Sequence, residues 1–299
     1  MLADWRVDHH VRELFKGDAF RRLLAVRLIS QFGDGVFQAS LAGAVLFNPE
    51  QQASATDVAA GFAVLLLPYS IVGPFTGVLI DRWWRQRILW IGGPVRALGA
   101  LIAAIAVFGG VHGAPLYVIA LVSLSFGRFV LAALSAAQPH VVTTKELPTA
   151  NAFSTTAGTV ATTIGGAAAL LLREGVGESN HGYGVIGFCA PVFYVAAGLV
   201  AVRFAITALG PDDAERAARQ RVGEIARELR AAGQHVRARP EVFHYLSAIG
   251  MVRLCHGITT VCTVLLYRNY FHNVGVFRAG LSGLALIVVA TAVGGALAA

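Results

Sequence analysis

Charge is what this sequence has least of: only 14% of its 299 residues are Asp, Glu, Lys or Arg, against about a quarter in an ordinary soluble domain. A chain that is 56% apolar, with a mean hydropathy of +0.64, does not have water as its main solvent. Cysteine is also sparse. The three present, Cys189, Cys255 and Cys262, have neither metal-ligand nor redox spacing, which excludes a disulfide framework and a zinc site of the usual kinds. No Walker loop, nucleophile motif or metal-ligand cluster occurs, so the sequence predicts a protein that is not an enzyme and binds no cofactor or metal. It also lacks the alternation of barrel strands. A cleavable signal peptide is excluded because the first apolar block is too long and has no small-residue cleavage site.

What the sequence does have is long apolar blocks. A helix rising about 1.5 Å per residue crosses a hydrocarbon core of about 30 Å in about 20 residues. Blocks of that length occur near 23–47, 57–80, 88–110, 115–138, 149–172, 185–208, 242–268 and 279–299. They predict an all-α polytopic membrane protein whose eighth helix is interrupted by the last residue. The net charge of +7 and pI of about 9.8 would suit nucleic acid, but the basic residues follow the membrane. With the N-terminus in the cytoplasm, the inner segments hold Arg6, Arg12, Lys16, Arg21, Arg22, Arg82, Arg85, Arg87, Lys145 and seven arginines between Arg216 and Arg239. The outer loops hold Arg173, Arg268 and Arg278. This asymmetry predicts a multi-pass protein of the inner (plasma) membrane, N-terminus cytoplasmic, with no nucleic-acid partner.

The expected organisation is a cytoplasmic segment at 1–22, a six-helix bundle at 23–208, a linker at 209–241 and the start of a second set of helices at 242–299. In the linker, Pro211, Asp212 and Asp213 suit a helix N-terminus, and Val222, Ile225, Leu229 and Val236 recur at helical intervals among Arg and Glu. That pattern predicts an amphipathic helix lying on the lipids of the inner leaflet.

The second block runs into Gly77-Val78-Leu79-Ile80-Asp81-Arg82-Trp83-Trp84-Arg85-Gln86-Arg87, on the side that charge makes cytoplasmic. This resembles the loop motif of the major facilitator superfamily, with Trp84 in place of a glycine and Gln86 in place of a basic residue. Leu28-Ile29-Ser30-Gln31-Phe32-Gly33-Asp34 and Glu146-Leu147-Pro148-Thr149-Ala150-Asn151-Ala152 resemble stretches of its drug-exporting branch, which includes macrolide and enterobactin exporters. Thr162 or Gly166 stands where drug antiporters carry a proline. The resemblance implies two six-helix halves, truncated here in the eighth helix, and a proton-coupled efflux antiporter for amphipathic small molecules, of the kind that confers drug resistance. It also makes Gly77, Asp81, Arg82, Arg85 and Arg87 a cytoplasmic latch between the halves.

Asp34 lies about 17 Å into the first block, near the bilayer midplane, where a carboxylate costs a few kcal/mol and so suggests a function. It is the candidate for proton coupling. Arg128, at similar depth in the fourth block, is its expected partner, and the two form either a switchable or a purely structural ion pair. Gln31 and Gln38 share the helical face of Asp34 and are expected to line a wet cavity, with Thr159 on the fifth helix and Arg253 and His256 on the seventh. Two other readings remain open: an uptake or lipid-handling transporter of the same fold, and a truncated membrane protein that does not transport and acts through protein contacts.

Overall fold

The computed structural model describes residues 13–47, 80, 82–212 and 222–270. Gly77, Asp81, the predicted span at 279–299 and nearly all of that at 57–80 lie outside the described residues.

Every regular element among the described residues is helical. Helix α1 (Asp18–Ala42) continues through a π-helical turn (Gly43–Phe47). Then come α2 (Arg85–Phe108), α3 (Ala114–Ala137), α4 (Leu147–Val176), α5 (Asn180–Gly187), α6 (Ala190–Val202), α7 (Val222–Ala238) and α8 (Pro240–Asn269). Local chemistry explains where several of them start. Pro115, Pro148, Pro191 and Pro240 sit in the first turn of α3, α4, α6 and α8, where a missing N–H costs nothing. The Ser179 hydroxyl accepts the Gly182 N–H at 3.1 Å and caps α5.

Among the described residues, five helices or helix pairs are long and apolar enough to cross a membrane: α2, α3 with the 3-10 turn after it, α4, α5 with α6, and α8. The chain is an all-α polytopic membrane protein. Helix α1 is as long but less apolar, since Arg27, Gln31, Asp34 and Gln38 lie along it. The sixth predicted span, 185–208, is displaced: its helices cover Asn180–Val202 and break at Phe188 and Cys189. The linker helix is helical over Val222–Ala238, and residues 213–221 ahead of it lie outside the described residues.

Helix α1 packs along α4 and α6, while α2 packs along α6, α3 and α5. Glycine makes two of these seams possible. A Cβ on Gly35 would overlap the Thr162 carbonyl oxygen, and one on Gly165 would overlap that of Phe32, so α1 and α4 touch backbone to backbone. Between α2 and α6, a Cβ on Gly93 would lie 2.6 Å from the Tyr194 carbonyl oxygen. Such approaches supply dispersion contacts where lipid removes the hydrophobic drive between helices. Large apolar side chains such as Leu98, Ile105, Val122 and Leu199 remain exposed on the outside, as a lipid-facing surface requires. Helix α8 buries none of its apolar stretch against the described residues.

Candidate functional site

The close α1–α6 and α2–α6 seams bring three polar side chains together at mid-span. Asp34 lies sixteen residues after the start of α1, Arg96 eleven after the start of α2, and Tyr194 fourteen after the start of α5. Arg96 forms a salt bridge with Asp34 through Nη2 and donates from Nη1 to the Ser30 hydroxyl one turn away. The Tyr194 hydroxyl donates to the same Asp34 oxygen, Oδ1, at 3.0 Å. The Arg96 guanidinium also lies 3.9 Å from the centroid of the Tyr194 ring, in cation–π geometry. Side-chain exposure is 5% for Arg96 and 18% for Asp34, so the cation is enclosed while the carboxylate keeps an open edge. In low dielectric an isolated charge is costly, and the pair with its added hydrogen bonds offsets part of that cost.

This corrects the expected pairing. The cation that meets Asp34 is Arg96 on α2, whereas Arg128 stands half-buried on α3. The reason is steric as well as electrostatic: Gly127, the neighbour of Arg128, has no side chain, and the Arg96 guanidinium lies against it. Gln31 also departs from expectation. It turns into the α1–α4 seam, where its Oε1 is buried without a hydrogen bond and fills the space a Gly158 side chain would take. Gln38 is half-buried on the expected face. The Thr159 hydroxyl is spent on its own helix, donating to the Thr155 carbonyl at 3.1 Å, and Arg253 and His256 are exposed on α8. None of these three is brought to Asp34.

At the α2 start, Arg82 and Arg87 are exposed but Arg85 is buried. Its Nη1 lies 2.6 Å from His140 Nε2, and its backbone N–H donates to the Gly210 carbonyl at 3.1 Å. Gly210 has φ +74°, and a Cβ there would meet both His140 and Arg85. Arg85 therefore ties α2 to the chain just after α3 and α6.

The sequence profile of the Major Facilitator Superfamily matches residues 23–299. The chain belongs to that superfamily. Two similar proteins, one from Mycobacterium bovis and one from Mycobacterium tuberculosis, are each named an uncharacterized MFS-type transporter; the chain is 40% identical to each over 282 residues. That alignment covers 93% of this chain and 63% of each relative, so the chain spans less than two thirds of their length. No solved structure matches.

Within this superfamily member, sequence reasoning missed two side chains of the cluster. Arg96 carries a signal of its own, being a charged residue in the middle of the third apolar block, which is reason to suspect function. Tyr194 carries none, because a tyrosine in an apolar helix is ordinary core.

Proposed function

We propose that this protein is part of a secondary transporter that couples proton movement to efflux of amphipathic small molecules by alternating access, with the Asp34–Arg96 pair as the coupling locus. It is a transporter rather than an enzyme. The observation that carries the reading is the arrangement at Asp34: a carboxylate at mid-span, held by one cation and one hydroxyl, with an open edge. Protonating Asp34 cancels its charge, releases Arg96 and loosens the contact between α1 and α2. Deprotonation restores the contact. A bistable contact of this kind across two helices is what a two-state cycle requires. The exposed Arg82 and Arg87, with Asp81, would act at the surface as the latch, while Arg85 keeps the six-helix half together. The membrane is the plasma membrane, with the N-terminus in the cytoplasm, as the arginine distribution favours.

The test uses everted membrane vesicles, an amphipathic fluorescent dye and a pyranine readout of internal pH. Asp34→Asn keeps size and hydrogen bonding but removes the titratable oxygen. It should insert normally, abolish proton movement upon dye addition and abolish protonophore-sensitive dye transport. Coupled transport with an unchanged pH profile in the mutant would make Asp34 structural, and dye movement of the opposite sign would favour uptake.

A further inference from the structure

The two oxygens of Asp34 have different surroundings. Oδ1 takes both donors, the Arg96 guanidinium and, at 3.0 Å, the Tyr194 hydroxyl. Oδ2 accepts no hydrogen bond from the described residues, and it is not among their buried unpartnered polar atoms, so it meets the open edge of the side chain. Tyr194 is held in place from three directions. Its backbone carbonyl oxygen would lie 2.6 Å from a Cβ on Gly93, in the close α2–α6 seam, and its Cε1 would lie 3.1 Å from a Cβ on Gly33 of α1. The Arg96 guanidinium covers the ring at 3.9 Å. With 2% exposure the side chain has little freedom, and its hydroxyl is fixed on Oδ1.

The charged groups able to face Asp34 are few. On α1 itself Arg27 is seven residues away and donates to Ser135, α2 brings Arg96, and α3 brings the half-buried Arg128. Residues 58–80, 147–172 and 179–202 contain no Asp, Glu, Lys or Arg, so α4, α5 and α6 add no charge at this depth. Ser30 takes its hydrogen bond from Arg96, which leaves the Tyr194 hydroxyl as the neutral donor to the carboxylate.

We infer that Tyr194 is a positioning residue of the coupling carboxylate: by holding Oδ1 it turns Oδ2 to the open edge as the oxygen that takes up the proton. The inference deepens the transport reading and rests on Asp34 being its coupling group. In the uptake step a hydronium ion gives its proton to Oδ2, an O–H bond forms and water leaves, while the Tyr194 proton stays on its own oxygen. A cation suits only the ionised carboxylate, so Arg96 lets go on protonation. A neutral hydroxyl suits both states, because Oδ1 is then a carbonyl oxygen and still accepts. Tyr194 thus keeps the carboxyl group oriented for the next release. A hydrogen bond to the charged form also favours that form, so the hydroxyl sets the pH at which the switch works.

The test is an infrared difference titration of the full chain, purified in neutral detergent, following the carboxylic C=O stretch that Asp34→Asn removes. Tyr194→Phe keeps the ring beside Arg96 and deletes the donor. It should move the midpoint of that band up by about one pH unit and, because Oδ1 loses its hydrogen bond, shift the stretch to higher frequency. Tyr183→Phe, which deletes a buried hydroxyl that has no partner, should change neither. A hydroxyl that only supports packing would alter thermal stability and leave both readouts in place. Where Tyr194→Phe does not fold, ring-fluorinated tyrosine, a stronger donor, should move the midpoint down. An unmoved midpoint, or an unmoved frequency in Tyr194→Phe, overturns the inference and leaves Asp34 as the coupling group. Absence of any band that depends on Asp34 removes both.

Discussion

Arg96 makes three favourable contacts, with a carboxylate, a hydroxyl and an aromatic face, and each depends on the others for geometry. Removing it leaves Asp34 charged in a poorly solvated place. Arg96→Gln should therefore destabilise the protein by about 3 kcal/mol, the cost typical of breaking a buried pair by one partner, and Asp34→Asn should cost less because Arg96 keeps Ser30 and the Tyr194 ring. The double variant should be more stable than Arg96→Gln alone. A double-mutant cycle by thermal denaturation in neutral detergent checks this, and strictly additive effects would mean that the pair is not energetically coupled. At this scale the sequence exposed Asp34, because a lone acid in an apolar block stands out. It did not expose the partner. Depth along a helix can be read by counting residues, but Arg96 and Arg128 have similar depth, and the choice between them depends on helix rotation and neighbour order. Those in turn depend on which glycines meet a neighbouring helix, such as Gly93 and Gly127.

Helices were the most legible level, since a block of about 20 apolar residues admits few other structures in lipid. Their contacts were not. The sequence holds 33 glycines, and nothing local separates Gly35, whose Cα faces the α4 backbone, from Gly175, around which there is open space. The two make a matched test. Gly35→Ala should separate α1 from α4 and lower stability by about 1–3 kcal/mol, in the range of overpacking, with loss of folded yield in detergent, whereas Gly175→Ala should be neutral or slightly stabilising. Equal effects would show that the α1–α4 seam tolerates widening. The break between α5 and α6 escaped notice for a similar reason: Phe188 and Cys189 are apolar, so hydropathy runs through a place where the backbone does not.

For the whole molecule, orientation is the property that charge asymmetry predicts and helix packing does not constrain. After replacement of Cys189, Cys255 and Cys262 by serine, single cysteines at His112 and at Lys145 or Arg87 should report opposite sides. All three positions are exposed. His112 should react with an impermeant thiol reagent in intact cells, the others only after permeabilisation, and the reverse pattern would invert the topology. Arg85 would be a poor probe because it is buried. The all-helical polytopic plan was legible across the described residues; the way Arg85 locks into His140 and Gly210 was not, since the bond to His140 alone joins residues 55 apart in sequence. One consequence lies in ion selectivity. Arg96 and Tyr194 both donate to a single oxygen of Asp34, and one of the two donors is itself a cation. An alkali cation needs a shell of oxygen ligands and would meet guanidinium groups instead. In the proposed cycle a proton would need one lone pair and no room, which would favour it over sodium at Asp34 by charge and coordination number together.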